Sequence, residues 1–101
     1  MHVIVWEFRA RPGREAEFEE VYGPGGAWVE LFARSEGFVG TELLRDVAEP
    51  GRYLTLDQWT SRSAFETFRE RWADDYRELD ERCEALTLRE EALGTFTALD
   101  A

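Results

Sequence analysis

The strand-like segment near the start of the chain, residues 2–11, constrains the fold more than any other feature. It is rich in β-branched and aromatic residues and ends at Pro12-Gly13, so it predicts a β-strand followed by a turn. Side chains alternate between the two faces of a strand. The apolar side chains are Val3 and Val5 on one face, and Ile4, Trp6 and Phe8 on the other. Because both faces are apolar, the pattern predicts a central strand that is covered on both sides.

The remaining segments alternate between helical and strand-like patterns. Helical spacing predicts a helix over 14–22, a break at 23–26, a second helix over 27–34 and a long one over 63–86 with a kink near Ala73-Asp74. Strands are predicted over 38–45, 52–59 and 92–99, the first two joined by a hairpin loop. Thr87 and Glu90 have capping-box spacing, which predicts a short helical turn before the last strand.

This order, βαββαβ, predicts a ferredoxin-like α+β fold with a four-stranded antiparallel sheet in one domain over 1–101. The helices would cover one face of the sheet. The chain is too short to cover the other apolar face, so we expect a second copy to cover it, sheet against sheet, in a homodimer with twofold symmetry.

Charge and composition limit the classes of binding partner and of chemistry that are open to this chain. The net charge is −10, which disfavours nucleic acids and anionic membrane surfaces as partners. All 12 basic residues are Arg, so chemistry that needs a lysine Schiff base is excluded. Apolar runs are too short for a membrane-spanning helix, and no secretory signal is recognised. A single cysteine, Cys83, cannot form an internal disulfide, and we expect a cytoplasmic protein.

Two carboxylates, Glu7 and Asp57, fall inside predicted central strands, which we take to be parallel neighbours. A carboxylate buried there either pairs with an arginine or has a raised pKa. The first alternative is an ion pair with Arg9, Arg45 or Arg52. The second is a general base for a phenolic proton.

Six aromatic residues on two strands and two helices form a further candidate set. They are Trp6, Tyr22, Trp59, Phe68, Trp72 and Tyr76. They are either plain core or the walls of a flat slot for a planar ligand, in which the tyrosine hydroxyls would orient the ligand.

Three other features carry less chemistry. The glycine-rich stretch 23–26 follows a helix and lacks a lysine, so it is a helix break with glycines at positive φ, or else a flexible gate over a pocket. Cys83 lies on an apolar helix stripe, which predicts a buried, inert thiol. His2 is the only histidine and is expected to be solvated, so no Cys-His nucleophile and no metal site is predicted.

Four motifs together resemble the antibiotic biosynthesis monooxygenase (ABM) family of the dimeric α/β-barrel superfamily. The likeness spans about residues 2–97 and rests on 11–14, 36–46, 52–59, and then Ser61, Ala64 and Phe65. Its most specific part is the acidic-x-Trp step Asp57-Gln58-Trp59 before the second helical region.

The resemblance implies a homodimer whose sheets form a barrel, and a pocket in each protomer between helices and sheet. Members include cofactor-independent oxygenases that oxidise phenolic substrates with O₂ and use neither flavin nor metal. We therefore expect a monooxygenase acting on a small aromatic or quinol-like molecule. Its proton acceptor would be Asp57 or Glu7, and Tyr22 and Tyr76 would orient the substrate. The pocket walls would be Trp6, Trp59, Phe68 and Trp72.

Two alternatives stay open to testing. Another branch of the family degrades haem with an Asn, a Trp and a His, but this chain has no Asn and carries Phe68 and Glu78 near the other two positions, so haem degradation is disfavoured. The other alternative is a non-catalytic dimeric module that binds a small apolar molecule or a partner. A cavity below about 300 Å³ would be smaller than typical ligand sites and would favour a structural module of this kind.

Overall fold

A four-stranded antiparallel sheet with helices on one face forms the protein, as the sequence predicts. The computed structural model describes residues 1–99. The strands are β1 (His2–Ala10), β2 (Phe38–Arg45), β3 (Arg52–Trp59) and β4 (Thr87–Thr97). The helices are α1 (Glu15–Tyr22), α2 (Ala27–Phe32), α3 (Arg62–Arg71) and α4 (Ala73–Cys83), and a 3₁₀ turn spans Glu84–Leu86.

The strand order is β2-β3-β1-β4, so β1 lies inside the sheet as expected. The expected direction of β3 was wrong, because β1 and β3 run antiparallel rather than parallel. The hairpin between β2 and β3 reverses the chain, so β3 must oppose the direction that β2 shares with β1. In the resulting register Glu7 lies opposite Leu54, and Asp57 lies opposite Ile4.

The long helical segment is divided at Trp72, close to the predicted kink. The first half, α3, begins after Ser61, whose hydroxyl accepts a hydrogen bond from the Ala64 backbone N–H at 3.1 Å. That bond satisfies one of the free N–H groups at the start of the helix. Within the described part of the chain, no helix has the length and apolar character needed to cross a membrane.

The last strand begins earlier than the sequence predicts. Thr87 already pairs with Ala10 and Glu90 with Phe8, so the predicted helical turn at Thr87 and the strand start at 92 were both wrong. Hydrogen bonds to the long central strand β1 outweigh a local capping pattern that no helix follows. Glu90 therefore lies on the sheet, on the same face as Phe8.

The break between α1 and α2 depends on close backbone packing, not on positive φ. Gly23 and Gly26 have φ values of −79° and −91°, which corrects the predicted left-handed glycines. A Cβ added to Gly26 would clash with the Val21 carbonyl oxygen. Only glycine fits at that contact.

The two faces of the sheet differ in whether other parts of the chain pack on them. The face toward the helices carries the core, in which Phe18, Trp59 and Phe68 have no exposed surface. The opposite face carries apolar side chains of all four strands, and Leu44 and Phe96 on it are 43% and 54% exposed. A second copy packed on this face stays a prediction.

Candidate functional site

Two adjoining cavities lie between the helices and the sheet. The first has a volume of about 270 Å³ and the second about 360 Å³. The aromatic lining of the first is Trp6, Phe8, Tyr22, Trp28, Phe32 and Tyr76, and its polar lining is Thr41, Thr55, Asp57, Arg69, Asp80 and Glu90. Five residues line both cavities: Trp6, Phe32, Asp57, Arg69 and Tyr76. These five mark the junction at which one ligand could occupy both spaces.

Asp57 is the buried carboxylate of this junction. It is 8% exposed, and its Oδ1 accepts a hydrogen bond from Thr41 Oγ1 at 2.8 Å, across the β2–β3 register. Burial raises the pKa of Asp57 to about 6, and the Thr41 hydrogen bond offsets only part of this effect. A carboxylate with that pKa is largely ionised at neutral pH and can still take up a proton, as a general base must.

The tyrosines predicted to orient a substrate, Tyr22 and Tyr76, both line the first cavity. Burial raises the pKa of Tyr22, and the neighbouring Cys83 raises it further. Burial also raises the pKa of Tyr76, against the opposing effect of Arg69. Both hydroxyls therefore keep their protons at neutral pH and can donate hydrogen bonds.

Three charged residues of the cavity were missed by the sequence reading. The Arg69 guanidinium lies 3.9 Å from the centre of the Tyr76 ring, and Asp80 lies one turn beyond Tyr76 on α4. Burial and the nearby Asp80 raise the pKa of Glu90. Helical spacing could have grouped Arg69, Tyr76 and Asp80, which are seven and four residues apart. Glu90 was missed because the sequence pattern placed it in a turn and not in the last strand.

Aromatic and hydroxyl residues were missed as well. Trp28 and Phe32 line the cavity from α2, while Thr41 and Thr55 line it from β2 and β3. The Trp28 indole N–H has no acceptor at hydrogen-bond geometry, although Tyr22 and Cys83 lie beside it. The signal in the sequence was the apolar side of the second helix, which predicts core and cavity wall equally well.

Glu7 lies on the opposite face of the sheet, away from both cavities. Its Oε2 is 2.6 Å from Arg52 Nη2, and Arg52 Nη1 is 2.9 Å from Asp46 Oδ2. The ion-pair alternative therefore describes Glu7, with Arg52 as the partner. We do not retain Glu7 as a proton acceptor in the cavity.

Three of the predicted wall residues do not line either cavity. Trp59 and Phe68 are fully buried in the core, with ring centres 5.1 Å apart. Trp72 packs beside Arg34, whose guanidinium carbon is 4.9 Å from the ring centre. Trp59 and Phe68 support the walls by packing on Phe32, whereas Trp6 forms one of the walls.

The other candidates are placed as follows. Cys83 is buried, as predicted. The expectation that His2 is solvated was wrong: it is half-buried and lines the second cavity, with its ring centre 6.3 Å from that of Phe65. In residues 1–99 no cluster of three His, Cys, Asp or Glu side chains is placed to hold a metal ion.

Solved structures with the same fold include an oxygenase and a porphyrin-binding protein. SnoaB, a cofactor-independent oxygenase from Streptomyces nogalater, is 29% identical with a TM-score of 0.78, over 99% of this chain and 94% of that chain. MhuD, in a crystal structure with two manganese protoporphyrin IX molecules bound per active site, is 24% identical with a TM-score of 0.75, over 100% of this chain and 98% of that chain. PA3566 from Pseudomonas aeruginosa is 17% identical with a TM-score of 0.66, over 98% and 94% of the two chains.

Sequence comparison gives the family. No curated protein sequence matches the chain. The sequence model of the family described as antibiotic biosynthesis monooxygenase matches residues 1–81, which covers β1 to α3 and most of α4 and includes Asp57. The chain therefore belongs to the antibiotic biosynthesis monooxygenase family.

Proposed function

We propose that the protein is a cofactor-independent monooxygenase that oxidises a small aromatic, quinol-like substrate with O₂. Membership of the family supports a monooxygenase-type function. The likeness to SnoaB, itself a cofactor-independent oxygenase, supports the choice of that reaction type. The observation that carries the proposal is the position of Asp57, a buried carboxylate with a raised pKa in an aromatic cavity.

In this proposal Asp57 takes the proton of a phenolic or enolic hydroxyl. The electron pair of the broken O–H bond stays on the substrate, and the resulting anion reduces O₂. For a substrate with an oxidisable ring methylene, such as an anthrone, one oxygen atom becomes the new carbonyl and the other leaves as water. The substrate supplies all four electrons, so no external reductant is needed. Tyr22 and Tyr76 orient the substrate by hydrogen bonds, and Trp6 stacks against it.

The test is O₂ uptake in an oxygen electrode with anthrones and dihydroxynaphthalenes. We expect protein-dependent uptake, and a decrease of about 100-fold or more in kcat/KM for Asp57→Asn, because general base catalysis contributes about that factor. Asp74→Asn is the matched control, since the Asp74 side chain is 89% exposed on α4. Uptake that is absent for every substrate, or that survives in Asp57→Asn, would refute the proposal.

The first cavity, at about 270 Å³, is smaller than a usual ligand site and favours the second candidate function, a non-catalytic dimeric interaction module. Ligand sites usually exceed about 300 Å³, a limit that only the second cavity passes. A protein with a ligand site has a higher melting temperature in the presence of its ligand, whereas an interaction module shows neither this rise nor O₂ uptake. Thermal shift and O₂ uptake measured on the same compounds therefore separate the two functions.

A homodimer formed through the apolar sheet face is part of the proposal. The exposed Leu44 and Phe96 on that face support it. Light scattering should give a particle of twice the 11.8 kDa chain mass, and Leu56→Arg, which places a charge on the same face, should reduce it to one chain.

A cytoplasmic location also stays a prediction, in keeping with the single buried Cys83.

A further inference from the structure

Arg69 is a cation without an anionic partner at the junction of the two cavities. In residues 1–99 its guanidinium forms no salt bridge, whereas Arg62 on the same helix pairs with Glu66 at 2.8 Å. Arg11, Arg71 and Arg82 also lack a salt bridge there, but they do not line these cavities. A cation that faces a cavity and lacks a carboxylate is available to a ligand.

The position of Arg69 is restrained by Tyr76. The guanidinium lies 3.9 Å from the Tyr76 ring centre, in cation–π geometry. Such stacking restrains the guanidinium of this exposed residue before a ligand arrives, so less conformational entropy is lost on binding. Arg69, Tyr76 and Asp57 all line both cavities, so a ligand at the junction meets a base and a cation together.

The surrounding charges oppose the entry of an anion. Besides Asp57 and Arg69, the ionisable side chains of the first cavity are Tyr22, Tyr76, Asp80 and Glu90. The second cavity adds His2 and the paired Arg62 and Glu66. Three carboxylates against one guanidinium in the first cavity, on a chain of net charge −10, repel a carboxylate-bearing ligand.

We propose that Arg69 is a substrate-binding residue of this site: it holds the oxygen anion that forms when Asp57 takes the proton of a phenol, while the surrounding carboxylates exclude ligands that enter as anions. The role of Asp57 in this inference rests on the proposed function. In the step itself the phenolic O–H bond breaks, the proton moves to the Asp57 carboxylate, and the electron pair stays on the oxygen beside Arg69. The charge of the cavity is unchanged, and no oxidant or reductant takes part.

The first experiment uses 4-nitrophenol, whose anion has its own visible absorption band. Binding to the wild-type protein should bring out that band at a pH where the free phenol is mostly protonated. Arg69→Gln should lose the band and weaken binding of the anion by about tenfold, the usual effect of one charge-assisted hydrogen bond. Arg69→Lys should keep part of the effect, because it keeps the charge.

Arg71→Gln is the matched control, since Arg71 lies on the same helix, also stacks on an aromatic ring and lines neither cavity. It should bind 4-nitrophenol as the wild type does. Equal anion bands in Arg69→Gln and wild type would overturn the inference, as would a wild type that shows no band. Melting curves of each variant confirm that it is folded.

The second experiment compares 2-naphthol with 6-hydroxy-2-naphthoate, which adds one carboxylate to the same ring system. We expect the uncharged naphthol to bind about tenfold more tightly. Equal or tighter binding of the naphthoate would overturn selection for uncharged phenols. These binding measurements need no turnover. An anion band with 4-nitrophenol, together with no O₂ uptake on the anthrones and dihydroxynaphthalenes, would refute the oxygenase function and leave the role of Arg69 standing.

Discussion

Two carboxylates in adjacent strands of one sheet, Asp57 and Glu7, have opposite surroundings. Asp57 faces the helices, is held by one hydroxyl, and has a pKa raised to about 6. Glu7 faces the other way and lies 2.6 Å from an arginine. Strand alternation alone decides which face each side chain takes. A carboxylate within a sheet is thus a base or a structural ion pair according to the neighbours on its own face.

The largest difference should appear in the pH dependence of stability of Asp57→Asn. Because the folded pKa of Asp57 is raised from 3.8 to about 6, its ionisation destabilises the fold as the pH rises through that interval. The free energy of unfolding of Asp57→Asn should therefore exceed that of the wild type by about 3 kcal/mol at pH 8. The gain should vanish below pH 4. Urea unfolding at both pH values measures it.

Asp46→Asn is the control with the opposite sign. Hydrogen bonds from the Ala48 N–H, then from Arg52 and the Glu49 N–H, hold the pKa of Asp46 at about 2. Its stabilisation is present above its ordinary pKa and is lost as the pH falls through about 2. The asparagine variant should thus be less stable than the wild type at neutral pH. If both variants shifted stability in the same direction, the contrast between the two faces would fail.

A smaller effect is expected from Glu7→Gln. The Glu7 side chain is only 16% exposed. When its charge is removed, Arg52 still keeps its ion pair with Asp46. We expect the free energy of unfolding to fall by about 1 kcal/mol and O₂ uptake to stay at the wild-type rate. A large loss of uptake in a folded Glu7→Gln protein would return Glu7 to the candidate catalytic residues.

The smallest expected effect comes from Thr41→Val. The Thr41 hydroxyl donates to Asp57 Oδ1 and lowers the pKa of that carboxyl against the effect of burial. Removing the donor should raise the pKa of Asp57. The acidic limb of the pH profile of kcat/KM should therefore move to higher pH, while the plateau rate stays nearly unchanged. A limb that stays in place would indicate that another group sets it.

The sequence predicted the fold and part of the site. Alternating patterns and turn residues are local signals, so the order of elements could be predicted, as could the buried Asp57 and the cavity residues Tyr22, Tyr76 and Trp6. The face of the sheet on which Glu7 lies could not be predicted. Large side chains occur on both faces of β1, and the pattern does not say which face meets the helices. Arg69 and Glu90 depend on packing between distant elements, which no local pattern records.

The break between α1 and α2 offers a practical handle. Gly26 tolerates no side chain, but Gly25 is exposed and nothing lies within 4 Å of where its Cβ would be. The native thiol is buried, so the new thiol of a Gly25→Cys variant could be labelled selectively with an environment-sensitive dye. Such a dye would sit in the short linker between Tyr22 and Trp28, two walls of the cavity, and its emission would report ligand arrival in real time.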